Sequence, residues 1–155
     1  MHKDYKPRGL YLEDFEIGKE YITPSRTITE ADVVNFAMLS GDFNTMHMDE
    51  VESRQNIFGK RIGHGLLGVA ISTGLSIYSG FFDGTSHAFV EITAKYVKPL
   101  MIGDTITLIL TPTEKKPSRS KPDRGICKFD AKICNQDDEL IIQAYWTIMM
   151  KTKQK

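Results

Sequence analysis

The side chains best suited to chemistry lie in one short stretch, Ser40-Gly-Asp-Phe-Asn-Thr-Met-His-Met-Asp49. Asp42, Asn44 and His47 are set there among the apolar Phe43, Met46 and Met48. A carboxylate and an imidazole held close together can move protons in both directions, because imidazole titrates near neutrality. Such a pair suits general acid–base work. Sixteen residues after His47 comes Gly63-His64-Gly65, at the start of an apolar run. If that run is helical, its first N–H groups lack intrahelical acceptors and lie at the positive end of the dipole. A helix start of this kind can hold a developing oxyanion. The Asp–His pair alone is a weak signal, since aspartates also cap helices and fill turns.

The flanking elements have to position these groups. Residues 11–28 read as extended, with a turn at Gly18. Thr29-Glu-Ala-Asp32 offers a capping box, with aspartate in the usual glutamate place, and Val33, Phe36 and Ala37 follow at helical spacing. Gly41 would end that helix. Residues 41–62 read as irregular, with one short helix around Asp49 to Arg54. The stretch from His64 to Ser79 is apolar almost all round, which predicts a helix enclosed by the rest of the chain. Its small residues Gly65, Gly68, Ala70 and Gly74 would let other backbone approach.

The second half changes to a period of two. Val90, Ile92, Ala94 and Tyr96 alternate with polar neighbours, residues 99–104 read as a turn containing Gly103, and residues 105–113 form another strand. Cys127, Phe129, Ala131 and Ile133 mark a third strand. After the polar turn 135–139, Leu140, Ile142, Ala144, Trp146, Ile148 and Met150 mark one face of a long last strand. Consecutive strands with short turns predict an antiparallel meander. The class is therefore α+β, a buried helix followed by an antiparallel sheet that can curl around it.

Composition narrows the setting. The chain has 155 residues, the size of one domain with a core of its own, and we expect a single domain over residues 1–155. Twenty basic and twenty acidic residues cancel, which gives no support for a nucleic-acid or membrane partner. The apolar run from Leu66 to Tyr78 is too short and too interrupted to span a bilayer, and the start lacks the apolar core of a signal peptide. Cys127 and Cys134 are seven apart in a strand, so they fall on opposite faces roughly 23 Å apart, beyond disulfide reach. Free thiols suit a reducing cytoplasm.

With these readings in place, the motif resembles a known family. Gly41-Asp-Phe-Asn-Thr-Met-His-Met-Asp49, then Phe58-Gly-Lys-Arg-Ile-Gly-His-Gly65, closely resembles the hydratase motif of the MaoC-like dehydratases, or (R)-specific enoyl-CoA hydratases. Tyr96-Val-Lys-Pro-Leu-Met-Ile-Gly-Asp-Thr105 looks like that family's usual strand-turn-strand, and the resemblance runs from about Tyr11 to Met150. It implies a hot-dog fold, an antiparallel sheet wrapped around a central helix, working as a homodimer or an assembly of dimers with sheets joined edge to edge. It implies reversible syn hydration of a trans-2-enoyl thioester to the (R)-3-hydroxyacyl thioester, with no cofactor beyond the coenzyme A of the substrate. Carried over by motif, Asp42 and His47 would hold and activate one water and the Gly65 N–H would bind the thioester oxygen. Asn44 would fix the loop or the water, and Thr73 falls where the family often has a serine that supports the aspartate.

Thr45 and Arg61 depart from the pattern, standing where the family commonly has proline, which predicts a looser loop with the reacting groups retained. His64 reads as a substrate contact, a helix cap or a packing residue, and His87 as a surface or loop histidine. Asp42, His47 and His64 match no zinc-ligand spacing, so no metal is expected. The basic run Lys115, Lys116, Arg119, Lys121 and Arg124 reads first as a solvated loop and second as a contact for coenzyme A phosphates. Other readings on the same fold are a dehydratase for acyl-carrier-protein thioesters or for branched or dicarboxylic acyl-CoA, a thioesterase, and a non-catalytic acyl-CoA-binding protein.

Overall fold

A computed structural model describes residues 6–153. A 3₁₀ turn, Leu12–Asp14, precedes two short strands, β1 (Tyr21–Ile22) and β2 (Arg26–Thr27). Three helices follow, α1 (Glu30–Ser40), α2 (Thr45–Met48) and α3 (Glu50–Ser53), then the long α4 (Gly65–Tyr78). The chain finishes with β3 (Ser86–Tyr96), β4 (Thr105–Pro117), β5 (Arg124–Cys134) and β6 (Leu140–Lys151). Among the described residues no helix is long and apolar enough to cross a membrane.

Helix α1 starts where the capping box predicts. The Thr29 hydroxyl accepts the Asp32 N–H, and the Asp32 carboxylate accepts the Thr29 N–H at 2.8 Å. It stops at Gly41, whose φ of +78° is the left-handed conformation a side chain resists. The strand pattern also holds. Along β5, Cys127, Phe129, Ala131 and Ile133 face the core while Lys128, Asp130 and Lys132 do not, and both cysteines are free thiols. Along β6 the inward residues run from Ile142 through Trp146 to Met150. A register shift opposite Ile133 and Cys134 breaks the alternation, so Ile141 is buried along with Ile142.

The sheet is antiparallel, in the order β1-β4-β5-β6-β3, with β2 also on the outer edge of β4. This corrects the simple meander. Strands β4, β5 and β6 are consecutive neighbours, but β3 pairs with β6 and not with β4. The eight residues between Tyr96 and Thr105 are too many for a tight hairpin. They carry the chain across about three strand spacings, roughly 14 Å. Segment 62–63 pins that crossing through the Gly63 N–H, which donates to the Leu100 carbonyl at 2.7 Å, and a bridge between Ile62 and Met101.

Helix α4 lies against β4 and β6 on the inner face of the sheet. Leu67, Val69, Ile71 and Leu75 enter the core, where Phe15, Phe82 and Phe129 pack ring to ring. The helix is not enclosed all round, as its composition suggested. Leu66, Ile77 and Tyr78 are exposed, and so are Phe89, Ile92 and Tyr96 on the inner side of β3. The sheet reaches one strand beyond the helix that covers it.

Candidate active site

His47 sits on α2, a four-residue helix far too short to persist on propensity alone. Residues outside it hold it, and the Ser53 hydroxyl donates to its Thr45 carbonyl at 3.0 Å. Asn44 is its N-cap, with a side-chain oxygen that accepts the Met46 N–H. Ile62, just ahead of α4, grips it from the opposite side. The Ile62 N–H donates to the Met46 carbonyl at 3.0 Å, and the Ile62 carbonyl accepts from His47 Nδ1 at 2.8 Å. A carbonyl oxygen can only accept, so Nδ1 carries a proton, and in the neutral ring Nε2 holds the lone pair. That lone pair is 4.0 Å from Asp42 Oδ2. The imidazole is buried, whereas the Asp42 carboxylate is half exposed and its Oδ1 accepts the Asn44 N–H.

His64 occupies the N-cap position of α4 without capping it; its side chain makes no bond to the helix. It reaches back to the Asp42 carbonyl, with Nε2 at 3.0 Å. Gly65 and Leu66 follow as the first helical residues, so their N–H groups have no acceptor within the helix. Gly65 has to be small. A Cβ there would lie 2.5 Å from Cε1 of Tyr96. Asp42, His47, His64 and Gly65 all line one cavity of about 550 Å³, whose apolar walls include Phe36, Met46, Leu66, Tyr96 and Ile142. A carboxylate–imidazole gap, a helix start and an apolar chamber thus meet in one place.

Two sequence-based expectations do not survive. Thr73 is not brought to Asp42. Its hydroxyl donates to the Ala70 carbonyl at 2.7 Å, and it lines a different cavity with Ser76, Ile77 and Phe89. Nine residues of helix put it roughly 13 Å beyond His64 along the axis. Arg61 does not loosen its loop. Its guanidinium makes paired bonds to Glu30 at 2.7 and 2.9 Å and a third to Glu50 at 3.2 Å, tying α1 and α3 to the strand of chain before α4.

The basic run falls on the β4–β5 tip, at the far end of a 13-residue strand from Thr105, about 40 Å away. Arg124 is paired with Asp123 there, and Lys115 donates to the Glu13 carbonyl. Within one chain this tip is not at the cavity mouth. His87 is exposed, on β3 rather than in a loop.

Oxygen and nitrogen atoms of Asp42, His47 and His64 come within 4.8 Å of one another, close enough to consider a cation. His64 Nε2, however, donates its proton to a carbonyl and offers no lone pair on that side. Two remaining donors fall short of the three protein ligands of a catalytic zinc.

The MaoC like domain matches this chain over residues 14–127. The chain belongs to the MaoC-like family. Among its relatives, the protein MaoC of Klebsiella aerogenes is 37% identical over 77% of this chain, which spans only 36% of that longer protein. The 3-hydroxybutyryl-CoA dehydratase of Methylorubrum extorquens is 28% identical over 96% of this chain and 88% of its own length. An (R)-specific enoyl-CoA hydratase of Rhodospirillum rubrum is 31% identical over 70% and 74%. Among solved structures, a monoamine oxidase regulatory protein from Archaeoglobus superposes with a TM-score of 0.84 at 29% identity, covering 94% of this chain and 97% of that one. A Mycobacterium tuberculosis protein with a double hot-dog fold superposes at 0.84 and 15% identity, covering 97% of this chain and 47% of the other. The MaoC-like chain thus has the hot-dog fold, as its motif implied.

The residues that sequence reading missed are positioning groups. Ile62 acts through its backbone, which leaves no side-chain signature. Tyr96 was legible as a strand residue, but its approach to Gly65 depends on β3 pairing with β6.

Proposed function

We propose that this chain is a hydro-lyase that adds water reversibly to a trans-2-enoyl-CoA, giving the (R)-3-hydroxyacyl-CoA. The observation that carries this reading is the 4.0 Å gap between Asp42 Oδ2 and His47 Nε2, in a largely apolar cavity that Gly65 and Leu66, the first residues of α4, also line. The gap is too wide for a direct hydrogen bond and suits one water bonded to both groups. His47 Nε2, with its lone pair free, takes a proton as the water oxygen bonds to Cβ, while Asp42 pins the water through its other hydrogen. The electron pair displaced from the double bond builds an enolate at the thioester oxygen, which the Gly65 N–H stabilises. One such donor contributes on the order of 3 kcal/mol. The Asp42–His47 pair returns a proton to Cα on the same face, and the reverse sequence removes water. Asn44 supports the pair by capping the helix that carries His47. The names of the relatives from Methylorubrum and Rhodospirillum agree with this reaction in its two directions.

We further propose that the working form is a homodimer. Among the described residues no strand pairs with the outer edge of β3, and Phe89, Ile92 and Tyr96 on it form an apolar strip beside the open side of α4. A second copy would cover both. Sedimentation should give twice the monomer mass, and a monomer at micromolar concentration would sink this part.

The direct test is loss of enoyl absorbance across a panel of enoyl-CoA chain lengths, with acyl-carrier-protein thioesters as a parallel arm. The wild type should turn over at least one member. D42N and H47A should each abolish turnover while keeping the native circular dichroism spectrum. Full activity in either variant rejects the assignment, and tight acyl-CoA binding without turnover makes the protein a binder instead.

A further inference from the structure

His64 is 3% exposed, and its ring is held on three sides. The His47 ring lies against it with centroids 3.8 Å apart and planes 31° apart, Phe36 flanks it at 5.0 Å, and Nε2 meets the Asp42 carbonyl. The other nitrogen, Nδ1, is buried without a hydrogen-bond partner. That orphan nitrogen makes both simple roles poor explanations. For packing alone, phenylalanine or leucine would fill the space with no polar atom to desolvate. For capping, serine, threonine, aspartate or asparagine would serve, and His64 does not cap.

What an imidazole supplies here is an Nε2–H that bridges twenty-two residues of sequence, from the start of α4 to the loop that carries Asp42. That loop is otherwise lightly held. The Asp42 N–H donates to the Ser40 hydroxyl at 3.2 Å, the Asp42 carboxylate accepts the Asn44 N–H, and the Phe43 N–H donates to the Gly41 carbonyl. These bonds reach no further than Ser40 at the end of α1 and Asn44 at the start of α2, and His64 ties the loop to α4. The residue after His64 is Gly65.

We propose that His64 is a positioning residue that fixes the distance between the two halves of the site. Its Nε2–H anchors the Asp42 loop to the helix that carries the Gly65 N–H, and its ring backs the His47 imidazole. This inference rests on the hydratase reading for its kinetic consequence, though the anchoring can be measured without it.

The test compares H64F, which keeps an aromatic ring and loses the donor, with H64Q, whose amide nitrogen falls near the position of Nε2. H64N, whose amide reaches only as far as Nδ1, serves as a second donor-deficient variant should H64F fail to fold. In H64F or H64N, kcat should fall by about 100-fold, the loss expected of a reacting group displaced by about 1 Å, with KM within about threefold. H64Q should recover most of that loss, and the pH–rate profile should keep both limbs in every variant. Hydrogen–deuterium exchange of the 41–44 amides should quicken by about tenfold in H64F and stay near wild type in H64Q. Wild-type kcat and exchange in H64F would overturn the proposal, as would equal losses in H64F and H64Q, or a pH limb lost with the imidazole. If the wild type hydrates no enoyl-CoA, the functional reading fails by itself. The exchange comparison then decides the anchoring role alone, with unchanged exchange in H64F rejecting it.

Discussion

Replacing Gly65 with alanine, G65A, adds one methyl group at the tightest point of the site. The new Cβ would stand 2.5, 2.7 and 3.0 Å from Cε1, Cδ1 and Cζ of Tyr96. Carbon atoms in contact rest about 3.5–4.0 Å apart, so something must yield by about 1 Å. Either the half-exposed Tyr96 ring swings off the edge strand, or the start of α4 backs away from β3. The second movement carries the proposed oxyanion donor with it. A displacement of about 1 Å costs on the order of 100-fold in rate, or about 2.7 kcal/mol of barrier. Stability should change much less. Alanine gains up to about 1 kcal/mol over glycine in a helix, against about 1–3 kcal/mol for overpacking. The expected result is a kcat/KM for enoyl-CoA hydration lowered by about two orders of magnitude in a protein that melts within a few degrees of wild type. The double variant G65A/Y96A removes the obstructing ring and should regain much of the loss. Wild-type turnover in G65A would refute the reasoning, and a double variant no better than G65A would show that the ring is not the obstacle.

Two further outcomes follow from charge and burial. Burial alone would raise the Asp32 carboxyl, but the Thr29 N–H and hydroxyl together with the Arg26 guanidinium outweigh it and hold the group below its ordinary value. A carboxyl depressed on folding adds stability above its unfolded value and loses it as pH falls through the folded one. Urea midpoints should therefore drop below about pH 4, and D32N should show a shallower drop over that window; an unchanged slope would reject the coupling. Burial also pushes the Cys127 thiol up to about 12, and raises that of the half-buried Cys134. Iodoacetamide on the native protein at pH 8 should leave Cys127 unmodified by mass spectrometry until denaturant is added, and native labelling at Cys127 would contradict its burial.

Much of the scaffold was legible in the residues because local rules acted alone. The Thr29–Asp32 box and Gly41 bound α1 as expected, and the alternation along β5 and β6 separated core from surface. In the site-bearing segment the residue types and the short helix around Asp49 to Arg54 were legible, and α2 was not. Helix α2 is held from outside by Asn44, by Ser53 and by Ile62, fourteen residues after Met48, and no periodicity encodes that. Strand pairing was the other blind spot. A period of two says which residues share a face and not which strand lies alongside, so β3 was placed next to β4 although its inner residues meet those of β6. Arg61 shows a third kind of difference. Read against a proline it suggested slack, but its ion pairs with Glu30 and Glu50 draw three parts of the chain together.

The crossing between β3 and β4 also sets a timetable for the chain during synthesis. Asp42, His47 and Gly65 leave the ribosome early, yet Tyr96 has no strand to pair with until β6 follows, and Ile141 and Ile142 of that last strand close the cavity wall. The proposed reacting groups are therefore made well before the chamber that surrounds them. Pairing across so long a separation in sequence is a slow step in folding. A nascent chain halted before Leu140 would carry every proposed catalytic side chain and still leave β3 unpaired, with its apolar face open to other chains.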